Sequence, residues 1–154
     1  MSDPGSGANY STLLMAVDLS DESTMVAERA RALAGANGAI LHVIHVIEPL
    51  SFAYGGDIPM DFSGIQEEIH QQAKQQLSGF AADCNIPEER QHIVLGRPEV
   101  EIHSLAEEID ADLIVVGSHG RYGLALLMGS TANGVLHGAT CDVLAVRVGM
   151  KEKD

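Results

Sequence analysis

The chain has 154 residues, 45 % of them apolar and 4 % aromatic, with no tryptophan and a formal net charge of −13. That length is one ordinary domain, and the apolar share supports a buried core of Val, Ile, Leu, Met and Ala. The charge argues against nucleic acid or anionic lipid as a main partner, favours solubility, and makes any anion site depend on local geometry.

In chain order, "MSDPGSGANY" (1–10) has no apolar stretch and reads as a loose tail rather than a signal peptide. "TLLMAVDL" (12–19) is nearly all apolar, as a strand covered on both faces should be. A helix follows, with Ser20 as N-cap, Asp21 and Glu22 in its first turn, and Gly35 or Gly38 closing it. Its apolar stripe is Met25, Val26, Ala30, Leu33 and Ala34. "AILHVIHVI" (39–47) is a second strand. The connection 48–64 is long enough to be a lid or a disordered link, and it carries Phe52, Tyr54 and Phe62. The next helix is marked by Ile65, Ile69, Ala73, Leu77 and Phe80, and "QHIVLG" (91–96) is a third strand. Pro98 suits the first turn of a helix with Ile102, Leu105, Ala106 and Ile109 inward. "ADLIVVGS" (111–118) is a fourth strand. Residues 130–137 read as a helix capped by Gly138, and "CDVLAVRV" (141–148) as the last strand. Residues 11–149 form one domain, and 150–154 are a second loose tail.

Strands alternating with helices imply an α/β fold, a doubly wound, five-stranded parallel sheet of order 3-2-1-4-5 with helices on both faces. Ligands of such sheets bind beyond the carboxyl ends of the strands, where the winding reverses. Here that crevice lies between strands 1 and 4, at "AVD" (16–18) and Gly117. No apolar run reaches the roughly 18 residues of a membrane span. Cys84 and Cys141 show neither metal spacing nor a disulfide framework, so reduced thiols and a cytoplasmic location are expected.

The stretch "GSHGRYGLALLMGSTANGVLH" (117–137) therefore begins at the expected crevice. Gly117 and Gly120 open a turn, and Gly129, Ser130 and Thr131 stand where the last helix starts. Amides there, with the Ser130 hydroxyl, suit phosphate oxygens. No lysine follows the glycine, so this is no Walker loop, and a dinucleotide fingerprint belongs after the first strand. An ordinary loop with Ser130 as N-cap fits the same residues. Arg121 in the turn and Arg97 in "GRP" lie on the ligand side, able either to offset phosphate charge or to stand solvated.

Seven histidines raise a metal reading. His42 and His45 face opposite sides of a strand, against a shared ion. His103 and Glu107 are spaced for a surface ion pair, and His137 suits a helix C-terminus. His119 reads as a turn residue beside the ligand. Asp18 is placed to hydrogen-bond a sugar or base, or to hold magnesium. "CDVLAVRV" is an edge strand open to antiparallel pairing with a second copy.

Taken together, "AVDLSDES", "LHVIHVIE", "LGRPEVEI", "ADLIVVGSHGRYGL", "MGSTANGVLH" and "CDVLAVRV" resemble the universal stress protein family over nearly the whole chain. The resemblance implies that Asp18 and Val46 contact adenine and its sugar side and that Gly117 lines the ribose. It implies that Gly120, Gly129, Ser130 and Thr131 bind phosphates. His119 and Arg121 lie within the same motif. The nucleotide-binding branch carries Gly-x-x-Gly, nine residues, then Gly-(Ser/Thr). Here "RYGLALLM" supplies eight residues, which shortens the loop around the phosphates. The implied function is a homodimeric, ATP-binding regulator in a stress response, paired through 141–148, with an unidentified downstream protein partner. The alternatives are a stress protein acting through protein contacts without ATP, and a slow Mg²⁺-dependent ATPase.

Overall fold

A computed structural model describes residues 9–49, 63–118 and 130–148. Its strands are β1 (Thr12–Ala16), β2 (Ile40–Ile47), β3 (Gln91–Leu95), β4 (Leu113–Gly117) and β5 (Asp142–Val146). Its α-helices are α1 (Ser23–Asn37), α2 (Ser63–Asp83), α3 (Pro98–Glu108) and α4 (Ser130–Gly138), with a short 3-10 turn at Glu88–Arg90. All ladders are parallel and the order is β3-β2-β1-β4-β5, the order expected from the sequence.

Side chains alternate across the sheet, so the strands feed two cores. Leu13, Met15, Val43 and Val115 pack under α1 and α2, against Val26, Ala30, Leu77 and Ala81. Leu14, Ile44, Ile114 and Val116 pack under α3 and α4, against Ile102, Leu105, Ala132 and Val135. Near-continuous apolar strands follow directly from burial on both faces.

The helices depart from the sequence reading in three places. Met25 and Ile65 are exposed, and the inward stripes run through Val26, Ala27, Ala30 and Ala34 on α1 and through Ala73, Leu77 and Ala81 on α2. The sheet lies against alanine-rich faces there, which lets each helix sit close. Helix α1 starts at Ser23, three residues after the expected cap. Gly38, at φ 65°, closes it, and Gly35 lies inside the helix.

Helices α3 and α4 touch through glycine. A Cβ on Gly134 would sit 2.8 Å from Glu99 Cβ, and one on Gly138 would sit 2.7 Å from the His103 ring. His103 Nε2 bonds the Val135 carbonyl at 2.7 Å. That contact replaces the expected ion pair with Glu107, because α4 comes close enough to offer a backbone acceptor. Among the described residues no helix is long and apolar enough to cross a membrane.

Candidate functional site

The carboxyl ends of β1, β2 and β4 border a cavity of about 570 Å³ that also reaches α1, α2 and the start of α4. This is within the usual range of small-ligand pockets. It brings together Asp18, Val46, Gly117 and Thr131 from four separate segments. Ser130 is the first residue of α4. His119, Gly120, Arg121 and Gly129 lie outside the described residues, as does most of the long connection, 50–62.

Asp18 follows β1 and stands exposed at the crevice lip. One oxygen, Oδ1, accepts from the Ser20 N–H at 2.9 Å, the Ser20 hydroxyl at 2.6 Å and the Ser23 hydroxyl at 3.1 Å. The chain folds back because Leu19 adopts φ 63°, a left-handed conformation that costs a leucine about 1–2 kcal/mol. Ser20 does not cap α1 because the helix begins three residues later, and its hydroxyl is turned to donate to Asp18. A tight turn closed by Ser23 N–H on the Ser20 carbonyl at 3.0 Å precedes the helix instead. Burial pushes the Asp18 carboxyl up, but the bonds from Ser20 and Ser23 outweigh it and leave the group below its ordinary value. Asp18 is thus a fixed carboxylate whose Oδ2 takes part in none of the three bonds.

Gly117 ends β4. A Cβ there would meet Val148 at 3.4 Å and Val26 at 3.6 Å, ordinary contact distances. Packing within the protein therefore does not demand glycine at this position. The charged side chains of the described lining are Asp18, Glu22 and Glu48, with no Lys or Arg among them. Arg97 is absent from that lining and lies 3.9 Å from Glu99. The donors for an anion on this side are the amides that open α4, where the helix dipole also points.

His45 also lines the cavity, and its Nδ1 bonds the Val17 carbonyl at 2.9 Å. His42 faces the other side of the sheet, as its parity requires, and meets His92. The nitrogens are 3.1 Å apart, the centroids 5.3 Å and the planes 21°. The centroid distance is nearly the nitrogen separation plus the two ring radii, so the rings meet nitrogen to nitrogen in a hydrogen bond. Burial pushes both imidazoles down, His42 also through His92 and Arg90, while Glu108 partly offsets the fall at His92. The sequence reading missed this pair, since the partners are 50 residues apart. No group of three metal-ligating side chains occurs among the described residues. Both cysteines are free, and burial, helped at Cys141 by nearby carboxylates, pushes the thiols up, which makes them poor nucleophiles.

A family model described as "Universal stress protein family" matches residues 9–147. The chain belongs to the universal stress protein family. Universal stress protein A homolog 1 of Coxiella burnetii is 44 % identical over 140 residues, covering 90 % of this chain and 96 % of that protein. A universal stress protein from Archaeoglobus fulgidus, solved in complex with dAMP, is 26 % identical at a TM-score of 0.64, covering 90 % of this chain and 98 % of that one. Another universal stress protein, solved in complex with cAMP, is 27 % identical at a TM-score of 0.59 with the same coverage.

Proposed function

We propose that this universal stress protein binds an adenine nucleotide in the crevice between β1 and β4, and that the bound state is read by other proteins in a cytoplasmic stress response. The observation that carries this reading is the convergence of Asp18, Val46, Gly117 and Thr131 on one cavity at the switch point of the sheet. The dAMP and cAMP complexes of its structural neighbours support an adenine ligand. The glycine motif and the N-terminus of α4 favour ATP, with Mg²⁺ spreading the phosphate charge. Pairing of β5 with a second copy makes the regulator a homodimer, and β5 is an edge of the sheet as that pairing needs. Asp18, held below the ordinary carboxylate range, is a poor general base, so binding is favoured over fast hydrolysis.

A second reading, a nucleoside monophosphate, draws on the carboxylates of the described lining and the eight-residue spacer. Acid release of nucleotide from freshly purified protein, followed by chromatography, separates the two. ATP or ADP near one per chain supports the first reading. AMP or a cyclic monophosphate supports the second. An empty protein that also rejects added MgATP overturns both and leaves a protein acting through its surface alone.

A further inference from the structure

We infer that His45 is a positioning residue: its ring replaces one rung of the β1–β2 ladder and so leaves the Val46 N–H free at the crevice. The ligand half of this inference rests on the nucleotide reading above, whereas the ladder half does not.

In the parallel ladder, even-numbered residues of β2 point their backbone groups at β1. The Ile40 N–H donates to the Ser11 carbonyl at 2.9 Å. The register runs from Thr12↔Ile40 to Ala16↔Ile44 without a bulge. Each further rung advances two residues on both strands. The next donor in line is therefore the Val46 N–H, and its acceptor is the Val17 carbonyl. The seam is still aligned at this point, since the Val17 N–H bonds the Ile44 carbonyl at 3.0 Å. Yet among the described residues the Val17 carbonyl is held by His45 Nδ1 at 2.9 Å, and no backbone bond joins it to Val46.

A carbonyl only accepts, so the proton sits on Nδ1 and fixes the ring's orientation. The ring satisfies the acceptor that the ladder would otherwise satisfy. An unpaired N–H at the mouth of a cavity is a preorganised donor, costing a ligand no rearrangement. Its natural complement is a ring nitrogen of a planar heterocycle lying in the plane of the sheet's end. His45 and Val46 both line the same cavity, so the ring that frees the donor also borders the ligand's space.

The test is amide hydrogen exchange by NMR on the full chain without nucleotide, followed by titration with adenosine. In the wild type the Val46 amide should exchange at least about tenfold faster than that of Ile44, the difference one backbone hydrogen bond makes. In His45→Phe, which keeps a ring but no donor, the Val46 amide should become protected by about tenfold as it takes the Val17 carbonyl. In His45→Gln, whose side-chain amide still donates, it should stay fast. A purely structural loss would speed exchange, the opposite sign. Adenosine affinity should fall about tenfold in the Phe variant and recover in the Gln variant. A Val46 amide already protected in the wild type, or unprotected in a folded Phe variant, overturns the ladder half. Protection with unchanged adenosine affinity overturns the ligand half. A wild type that binds no adenosine at all defeats the nucleotide reading, while the exchange result is decided without it.

Discussion

The two ends of the sheet are built on opposite plans. At the amino ends of the strands, side chains close the backbone. Asp112 Oδ2 accepts the N–H groups of Ser11 at 2.6 Å and Thr12 at 3.0 Å. Tyr10 hydroxyl donates to Asp142 at 2.8 Å, Arg90 Nε donates to the Leu41 carbonyl at 3.1 Å, and His42 pairs with His92. At the carboxyl ends, side chains hold the backbone apart. Asp18 bends its turn back with one oxygen, His45 takes a ladder carbonyl, and Gly117 presents no side chain at all. One end spends its polar groups on stability, and the other borders the crevice proposed above as the nucleotide site.

This contrast can be broken from either side. The largest change in stability is expected from Asp112→Ala, which leaves the Ser11 and Thr12 amides without their carboxylate. It should cost about 1.5 kcal/mol in urea unfolding and leave nucleotide affinity unchanged. An equal loss of affinity would show that the two ends are not independent.

Asp18→Ala should cost less, about 1 kcal/mol, because the carboxylate is solvent-exposed, yet it should weaken nucleotide binding. The Asp18 carboxyl lies below its unfolded value of about 4. Its stabilisation is therefore complete above that value and lost as pH falls through the lower folded one. Acid unfolding curves of the variant should lose that portion of their slope.

The histidine pair acts in a different window. Both rings are held below the unfolded value of about 6.5, so the unfolded chain takes up protons first as pH drops. Stability should fall from about pH 7 downward through the lower folded values, and His92→Gln should flatten that fall. Unfolding midpoints measured across this range decide it, and nucleotide affinity should not follow the variant.

The smallest change in stability belongs to Gly117→Ala, within about 0.5 kcal/mol, since the added carbon finds only ordinary contacts. Adenosine affinity should nevertheless drop about tenfold. A variant that binds normally would make Gly117 a strand terminus and nothing more.

Much of this was legible in the chain itself. Apolar runs on both sides of amphipathic stretches announce a covered parallel sheet, and right-handed crossovers leave few strand orders. Strand order and switch point together place Asp18 and Gly117 at one crevice. Local signals also narrowed one helix stop to Gly35 or Gly38, of which Gly38 holds it, and located Pro98 as a helix start, because each acts through its own backbone conformation. The Ser20 cap failed because a tight turn, closed by the Ser23 N–H on the Ser20 carbonyl, separates Ser20 from the helix start at Ser23. Met25 and Ile65 were misplaced because helical periodicity gives a broad face, and only the partner surface decides which edge of it is covered.

What the tertiary structure alone decided are the bonds between residues far apart in sequence. Asp112 reaches Ser11 across 101 residues, and His103 reaches Val135 across 32. His42 and His92 meet only because β3 pairs with β2 in the register Ile44↔His92. Periodicity encodes which face of an element is buried, and that is a local property. A hydrogen bond between distant side chains depends on register and on how closely two helices approach. Here that approach is set by the bare Gly134 and Gly138, whose role becomes visible only with α3 against them.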